Sequence, residues 1–425
     1  MRLDRLHLQN FRCYEDATFE FQPGFNLVVG VNGSGKTSLL QAVAISLSPF
    51  VNTLRGEHIW QDFLSDESVR FVVDDYDGRK RFERRYPSSL IASGEAFTLK
   101  EWDLVKSGPN DQSTFAEFHN AVLASKSAVS ANISTDLPIL ALYPANRRWM
   151  ISRVTAEYAA TQQPSRFDGY RDWSNGASDI KELEVWLIGK TLERLETMTN
   201  HDNALASFND ELAWLNAVLK IALSESADLR YDLKLRMLIM DMGKGQSIPF
   251  NELSDGQRSM IALIADIARR MCLLNPHMGK DVLANTAGIV VIDELDIHLH
   301  PAWQRTIVST LKKAFPKVQF IAASHSPQII GGLAQHEVMI LDNHNISHPR
   351  VTYGLDSSSV LEEVMRVAQR EPEIESLLSE LFSIIEDGNL PLATTKLNEL
   401  KAKAPDLPEF YRAEALLKRK GVLGK

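Results

Sequence analysis

The chain has 425 residues, of which 44% are hydrophobic and 24% charged, values that exclude a disordered or fibrous protein. The length predicts one large composite domain or two to three modules. There are 46 lysine and arginine residues against 55 aspartate and glutamate residues, which makes a net charge of −9. Contact with nucleic acid would therefore have to come from a local basic patch.

Cysteine content and hydropathy point to a cytoplasmic location. The two cysteines, Cys13 and Cys272, cannot form a disulfide framework and offer no Cys-x-x-Cys zinc pair, which favours a reducing compartment. The longest apolar runs, such as residues 287–292, fall far short of the roughly 20 residues that span a bilayer. The N-terminus alternates apolar and polar residues, unlike a signal peptide. We expect no membrane segment.

The first part of the chain predicts strands around one helix. Apolar alternation and short apolar runs predict strands at residues 3–11, 19–21, 25–29 and 137–143. A helix is predicted from Thr37 to Leu47, after a glycine-rich turn. Residues 68–86 predict a hairpin that turns at Asp77-Gly78. Residues 87–136 give no clear pattern.

The second part predicts helices, then strand–helix alternation, then helices alone. Helical spacing covers residues 178–225, and a strand is predicted at Asp232–Met240. Further elements are predicted as helices at 254–272 and 302–314 and strands at 288–292 and 318–323. This alternation predicts an α/β fold with a mostly parallel sheet. We expect a head at 1–345, with a β-rich subdomain at about 56–136 and a helical insertion at about 150–235, and a helical tail at 346–425.

Residues 30–37 match the phosphate-loop pattern G-x-x-x-x-G-K-[ST], between a predicted buried strand and a predicted helix. Glycines let backbone N–H groups curl around phosphate oxygens, and the helix N-terminus adds partial positive charge. Lys36 is expected to reach the β- and γ-phosphates, and the Thr37 hydroxyl to bind Mg²⁺. The alternative, a glycine-rich turn with a chance lysine, is much weaker in this context.

An apolar strand at residues 289–292 ends in Asp293-Glu294. Asp293 suits the Mg²⁺ position of nucleotide hydrolases, and Glu294 suits activation of the attacking water. Solvated acids at a strand end are the alternative, which the nearby phosphate loop makes less favoured.

Residues 253–258, Leu-Ser-Asp-Gly-Gln-Arg, open a predicted helix. Ser254 and Gln257 form a capping-box pattern, which is sufficient by itself to explain them. The same free N–H donors, with Gly256 leaving room for an approaching ligand, also make an anion site. Both interpretations remain open and are compatible.

Two histidine features carry different expectations. His325 follows the strand that ends at Ala323 and could sense or stabilise a γ-phosphate, although a lone histidine is more often a surface or core residue. His298 and His300 stand near Asp296, which is too few ligands for a metal site. Capping of a loop is the favoured interpretation there.

Taken in order, the four nucleotide motifs resemble the ABC-type ATPase head of the SMC and RecF class, as does the opening run Asn10-Phe11-Arg12. The resemblance implies a P-loop ATPase in which 253–258 is the signature, His325 the switch histidine and Asp296 part of the D-loop. It implies catalytic roles for Glu294 and His325. It implies ATP contacts at Arg12, Asn32, Gly33, Ser34, Gly35, Lys36, Thr37, Ser38, Ser254, Gly256 and Gln257. It implies Mg²⁺ ligands at Thr37 and Asp293. No glutamine takes the Q-loop position. In chain order that place falls at about the strand 137–143 and the following Asn146-Arg147-Arg148, and the Q-loop stays unassigned.

A narrower resemblance lies in residues 293–301, Asp-Glu-Leu-Asp-Ile-His-Leu-His-Pro, and in the later Tyr353-Gly354-Leu355-Asp356-Ser357. These are similar to the PtuA family of ATPases, found in Septu antiphage systems and related retron systems. The resemblance implies an ATP-sandwich homodimer and a partner HNH nuclease of the PtuB family.

The only dense basic patch is Arg79, Lys80, Arg81, Arg84 and Arg85. It could follow a nucleic-acid backbone, or it could be the solvated face of a hairpin. Arg147-Arg148-Trp149 is a weaker candidate for the same role.

These observations predict a slow ATPase that assembles with, and controls, a nuclease on another chain. The alternative is a stand-alone DNA-repair ATPase of the RecF or SMC type. A nuclease activity of the chain itself is disfavoured because residues 345–425 contain no Asp-x-Asp. An ABC transporter ATPase is disfavoured by the short helical tail. The apolar faces of that tail, at Val360, Val364, Leu378 and Leu381, are either internal core or a surface for a partner.

Overall fold

The computed structural model describes most of the chain. The described residues are 1–56, 64–76, 79–109, 111, 116–131, 133–147, 149, 154–175, 180–200, 209–223, 227–243, 245–342, 345–365 and 371–423. They divide into two compact units, Met1–Asp356 and Ser357–Lys425. The sequence places the corresponding boundary after residue 345.

The strands of the first unit are β1 (Arg2–Phe11), β2 (Tyr14–Glu20), β3 (Phe25–Gly30), β4 (Phe71–Tyr76), β5 (Arg79–Arg84), β6 (Ser88–Ala96), β7 (Leu99–Lys106), β8 (Ile139–Tyr143), β9 (Asp228–Asp232), β10 (Met237–Asp241), β11 (Ser247–Pro249), β12 (Gly288–Ile292), β13 (Val318–Ala323), β14 (Val338–Asp342) and β15 (Asn345–Ser347). Its helices are α1 (Lys36–Arg55), α2 (Ala116–Ser130), α3 (Ala156–Thr161), α4 (Lys181–Asn200), α5 (Glu211–Ala222), α6 (Asp255–Leu274), α7 (Val282–Asn285), α8 (Pro301–Gln304), α9 (Ile307–Ala314) and α10 (Pro327–Ile330).

A six-stranded sheet, in the order β15-β14-β3-β13-β12-β8, organises this unit. All of its strands run parallel except β15, which is antiparallel to β14. The residues of β8, β12 and β13 are buried throughout, as expected of parallel strands covered on both faces. The predicted α/β fold with a mostly parallel sheet is confirmed.

An antiparallel sheet, β2-β1-β6-β7, joins the parallel sheet through a buried glutamine. Gln319 of β13 accepts a hydrogen bond from the N–H of Leu3 at 2.8 Å and donates to the carbonyl of Leu3 at 2.7 Å. Helix α1 contacts both sheets, and the indole of Trp102 in β7 donates to the carbonyl of Ser46 in α1 at 3.0 Å. The helix after the glycine-rich turn is therefore central to the core.

Helix α1 is also the one described helix whose length and hydropathy would suffice to cross a membrane. In the fold, 72% of that apolar window is buried. Its hydrophobic composition is accounted for by packing between two sheets.

Several predicted elements need correction. The strand predicted at Asp232–Met240 is a hairpin, because β9 ends at Asp232 and β10 begins at Met237. The helix predicted at 302–314 is divided into α8 and α9. Helix α1 continues to Arg55 because Pro49 is accommodated within it. The hairpin β4–β5 is confirmed, and its predicted turn, Asp77-Gly78, lies outside the described residues.

The second unit is helical. Its elements are α11 (Ser357–Ser359), continued by a π-helical turn (Val360–Val364), then α12 (Pro372–Glu386), α13 (Leu390–Lys403) and α14 (Glu409–Leu423). The last three pack together around Leu378, Leu381, Ile385, Ala393, Leu397, Leu400, Phe410 and Ala413. The tail residues that the sequence left as core or partner surface, Val360, Val364, Leu378 and Leu381, are all buried. The core interpretation is correct for Leu378 and Leu381, which belong to this cluster.

Candidate nucleotide-binding and hydrolysis site

The candidate site lies at the carboxyl edge of the parallel sheet, where β3, β13, β12 and β8 end side by side. In open α/β sheets ligands bind at this edge, since loops from neighbouring strands converge there. The phosphate loop follows β3, Asp293-Glu294 follows β12, and Ser324-His325 follows β13. Sequence-distant motifs are thus brought to one place by strand order alone.

The phosphate loop, residues 30–37, has the backbone geometry that its glycines permit. Gly33 and Gly35 have φ of +82° and +106°, which side chains other than glycine rarely adopt. A Cβ on Gly35 would lie 2.4 Å from the Tyr14 hydroxyl, which donates to the Gly35 carbonyl at 3.0 Å. By contrast, Gly33 faces open space, together with the exposed Asn32. The loop can therefore accept a ligand on one side.

Lys36 is the first residue of α1 and its side chain is buried. Its ammonium donates to the carbonyls of Gly30 and Val31 at 2.8 and 3.0 Å. Burial lowers the pKa of Lys36, and the nearby carboxylates of Asp293 and Glu294 counter this effect. The cation is held inside the curve of the loop, where a phosphate would meet it.

Thr37 and Asp293 bring oxygen atoms from two motifs together. The Thr37 hydroxyl donates to Oδ2 of Asp293 at 2.9 Å. Oxygen atoms of hydroxyls and carboxylates are the ligands that Mg²⁺ prefers, usually together with phosphate oxygens. The pair fits that metal, with Thr37 exposed and Asp293 buried. Ser38 is partly buried beside Cys13, to which it is hydrogen-bonded.

Glu294 has a strained backbone. Its φ is +46°, an uncommon value for a residue with a Cβ. Its N–H donates to Oδ1 of Asp293 at 3.1 Å, and its carbonyl accepts from the N–H of Ile297 at 3.0 Å. Its partly exposed side chain stands at the strand end, where a catalytic base is expected.

His325 lies in the same charged environment. Burial lowers its pKa from the ordinary 6.5, the positive charge of Lys36 lowers it further, and three carboxylates oppose the shift. The backbone N–H of His325 donates to Oδ1 of Asp296 at 3.2 Å, and the Ser324 hydroxyl donates to the same oxygen at 2.5 Å. Asp296 therefore links the D-loop to the histidine. The lowered pKa favours the neutral imidazole, which can act as hydrogen-bond donor or acceptor.

The signature residues occupy the N-terminus of α6. Ser254 and Gln257 form the predicted capping box, with the Ser254 N–H donating to the Gln257 side chain at 3.1 Å. Gly256 is buried, and a Cβ there would lie 2.4 Å from the carbonyl oxygen of His298. The exposed Ser254 bonds with Gln257 rather than with the phosphate loop. Within one chain, the signature packs on the D-loop segment.

Arg12 and the two D-loop histidines have distinct surroundings. Arg12 is partly buried, and its Nε is enclosed without a hydrogen-bond partner. The adjacent residue, Cys13, lies beside the phosphate loop, since its Sγ would be 3.0 Å from a Cβ on Gly35. His300 caps α8 by accepting from the N–H of Ala302 at 3.3 Å, as the capping interpretation predicts. His298 is exposed.

Arg147 is a site residue that sequence reasoning did not assign. It was a candidate for nucleic-acid contact, yet its residue exposure is only 4%. Its guanidinium donates to the carbonyls of Asp293 at 2.5 Å and Glu294 at 2.7 Å. Burial lowers its pKa to about 10, so it stays charged at neutral pH. Its position after β8, at the place where the Q-loop is expected in order, was the available signal.

Comparison with known proteins agrees with this geometry. Residues 25–331 match a protein family described as "AAA domain, putative AbiEii toxin, Type IV TA system". The chain belongs to this AAA-domain family. The match covers the phosphate loop, the signature, Asp293-Glu294 and His325.

Three curated relatives extend the assignment. The AAA-domain chain is 26% identical over 437 residues to "Retron Ec83 probable ATPase" of Escherichia coli, covering 88% of this chain and 78% of that protein. It is 44% identical over 106 residues to "Septu protein PtuA" of Bacillus mycoides, covering 25% of this chain and 14% of that one. It is 24% identical over 230 residues to "DNA replication and repair protein RecF" of Carboxydothermus hydrogenoformans, covering 52% and 60%. The predicted resemblance to RecF-like ATPases related to PtuA and retron ATPases is confirmed.

Proposed function

We propose that this chain binds and slowly hydrolyses ATP as the sensor and scaffold subunit of an antiphage defence complex, in which it regulates a separate HNH nuclease. The observation that carries the ATPase part is the convergence of Lys36, Thr37, Asp293, Glu294 and His325 at one sheet edge. The similarity to retron and Septu proteins supports the defence part. The chain is proposed to have no nuclease activity of its own.

In this proposal each side chain has one task. Backbone N–H groups of residues 33–38 hold the phosphates, and Lys36 neutralises the β- and γ-oxygens. Thr37 and Asp293 hold Mg²⁺, which supplies charge neutralisation on the phosphates. Glu294 accepts a proton from the attacking water, and His325 donates a hydrogen bond towards the γ-phosphate.

The proposed working unit is a dimer with ATP sandwiched between heads. Ser254 and Gln257 are accessible at the start of α6, and within one chain they do not bond to the phosphate loop. A second copy could present this helix N-terminus, whose partial positive charge suits phosphate, to the nucleotide on Lys36 of the first. Hydrolysis would then report whether two heads are engaged.

The proposed protein partner is a PtuB-like HNH nuclease. The tail unit has its own core and so offers a separate surface for docking. Tyr411 and Leu392 are exposed by 81% and 44% on it, whereas the apolar residues singled out from the sequence are buried. We place the nuclease contact on exposed residues of this kind.

A DNA contact through the β4–β5 hairpin is a weaker part of the proposal. Arg79, Lys80 and Arg81 are exposed, but Arg81 pairs with Glu83 at 2.5 Å and Arg85 with Asp74 at 2.6 Å. Arg84 is only partly exposed and donates to the carbonyl of Val69 at 2.9 Å. Acidic partners reduce the charge available to a phosphate backbone, so a weak, salt-sensitive contact is expected.

Co-purification tests the proposal. The full-length protein is expressed with its neighbouring reading frames, and complexes are captured with and without ATP from wild type, Lys36→Ala and Glu294→Gln. Nucleotide-dependent capture of an HNH protein by wild type and Glu294→Gln, lost in Lys36→Ala, is the expected result. ATP hydrolysis that is stimulated by DNA and needs no such partner would favour the alternative, a RecF-like repair ATPase. The 24% identity to a RecF protein over 52% of this chain supports that alternative.

A further inference from the structure

The side chain of Arg147 connects the end of β8 to the end of β12. It leaves the loop after β8, where its own N–H and one Nη both approach the carbonyl of Pro144. The same Nη reaches the carbonyl of Asp293, and the other Nη reaches the carbonyl of Glu294. One planar guanidinium therefore spans two successive carbonyls of the strand end that carries the proposed base.

Only arginine supplies this geometry. Its donors lie in a rigid planar fork, whereas a lysine ammonium is a single point donor on a flexible stem. Burying a cation is unfavourable unless strong hydrogen bonds or opposite charges compensate. Arg147 is buried, and Asp293, Glu294 and Asp296 provide an attractive field around it. A costly buried cation at this place requires a specific benefit.

That benefit is found in the backbone of Glu294. A residue with a Cβ at a φ of +46° is held there only when its surroundings determine it. The carbonyl of Glu294 accepts from Arg147 and from the N–H of Ile297, and its N–H donates to Asp293. Because φ sets the direction of the Cα–Cβ bond, the contacts that hold this backbone also aim the carboxylate.

We propose that Arg147 is a positioning residue for hydrolysis: it fixes the main chain at Asp293 and Glu294 so that the Glu294 carboxylate points at the attacking water. It does so without touching nucleotide. This inference rests on the proposed function, in which Glu294 is the base. The position after β8, where a Q-loop glutamine would be expected, is then occupied by an arginine that acts through hydrogen bonds to the main chain.

The test compares Arg147→Lys, Glu294→Gln and the double variant in the full-length protein, using steady-state ATP hydrolysis and equilibrium ATP binding. Arg147→Lys should lower kcat about 10- to 100-fold, because misplacing a reacting group by about 1 Å costs that much, and should leave ATP affinity within about twofold. In the Glu294→Gln background, the added Arg147→Lys change should lower the residual rate no further. That non-additivity is the signature of action through Glu294.

A matched control is available at Arg270. This arginine is equally buried and also donates to two carbonyls, of Gly169 at 3.0 Å and Arg171 at 2.9 Å, as well as to Asp266. Arg270→Lys should lower the melting temperature while preserving kcat per folded molecule. If Arg147→Lys does not fold, Arg147→Gln takes its place. Its amide has a single nitrogen on a shorter side chain and cannot span both carbonyls, so the same loss of kcat is expected.

Three results would overturn the inference: an unchanged kcat in Arg147→Lys, a weakened ATP affinity that accounts for the lost rate, or an equal further loss in the Glu294→Gln background. A failure of the proposed function appears elsewhere. It would be seen as a wild type without ATP turnover, or as a Glu294→Gln variant with an undiminished rate.

Discussion

The hydroxyl of Thr37 donates to the carboxylate of Asp293 across 2.9 Å, although the two residues are 256 positions apart in the chain. The contact joins the first turn of α1 to the end of β12, with β13 between β3 and β12 in the sheet. In the proposed function, these two residues would hold Mg²⁺. The first two predictions concern this group of residues.

Lys36→Ala should weaken ATP binding roughly 10- to 100-fold, because a buried ammonium and its charge-assisted hydrogen bonds are lost. Isothermal titration measures the affinity. Lys313→Ala, which removes an exposed lysine from the end of α9, is the control and should bind ATP as wild type does. Wild-type affinity in Lys36→Ala would refute the phosphate-loop assignment.

Glu294→Gln should retain ATP binding and lower turnover about 10²-fold or more, since the amide keeps the shape of the side chain but cannot accept the proton. It should also accumulate the nucleotide-bound dimer in light scattering with ATP. The exposed Glu101→Gln serves as control. A normal rate in Glu294→Gln would move the base to another residue.

The low pKa of His325 predicts an acid limb in the activity profile. Burial and the charge of Lys36 keep the imidazole neutral until the pH is below its ordinary value of 6.5. If neutral His325 is the active form, the ratio of wild-type kcat to that of His325→Gln should be constant from pH 8 to 7. It should then decrease as the pH falls through the lowered pKa of the folded protein.

The lowered pKa of His325 also affects the free energy of unfolding, which should decrease as the pH falls, as the activity does. An unfolded chain binds a proton at His325 more readily than the folded one, so this contribution to stability is full above the unfolded pKa and is lost as pH falls through the folded pKa. In His325→Gln, this contribution to the pH dependence of kcat and of the free energy of unfolding should be absent. A ratio of rates that rises in acid would contradict the neutral imidazole.

Gly256→Ala should disrupt the contact between the signature and the D-loop. Its new Cβ would lie 2.4 Å from the backbone carbonyl of His298, so one segment must shift, at a cost of about 1–3 kcal/mol. We expect lower stability and lower turnover with ATP binding largely kept, measured by thermal unfolding and kinetics. Gly189→Ala in α4 meets nothing within 4 Å and should instead stabilise its helix by about 0.5–1 kcal/mol.

Leu381→Ala should unfold the tail unit selectively. Leu381 is fully buried in the core of α12, α13 and α14, and removal of such a side chain costs about 2–5 kcal/mol. We expect an early melting transition and loss of the nuclease partner, with ATP affinity preserved. The control is the exposed Asn398→Ala, also in α13 but outside the apolar residues proposed for the nuclease contact, which should change stability by no more than about 0.5 kcal/mol.

Deletion of residues 356–425 gives the same test in a coarser form. It should abolish partner binding or higher assembly and leave ATP binding, because the nucleotide motifs end by His325. Circular dichroism checks that the truncated chain is folded. A folded truncation that still captures the nuclease at full oligomeric mass would refute a role of the tail in assembly.

Local motifs were enough to predict the phosphate loop, the acidic strand end and the capping box at Ser254. These motifs can be predicted because each depends on residues that are close together in the sequence. Glycines permit the positive φ values of the phosphate loop, and the end of a buried strand predicts where the acidic residues lie. The strands at 288–292 and 318–323 agree with β12 and β13 to the residue. Continuous apolar runs of this length identify parallel strands well.

Tertiary structure alone decided the burial of Arg147 and of the tail faces. In the sequence, Arg147 is followed by Arg148 and Trp149, and such a basic and aromatic run is typical of an exposed contact surface. Its environment is created by β8 and β12, which lie in register only when the sheet forms. Leu378 and Leu381 could equally have faced a partner, because amphipathic spacing shows that a face is covered without showing by what. The covering helices, α13 and α14, follow later in the chain, and only their packing made that face internal.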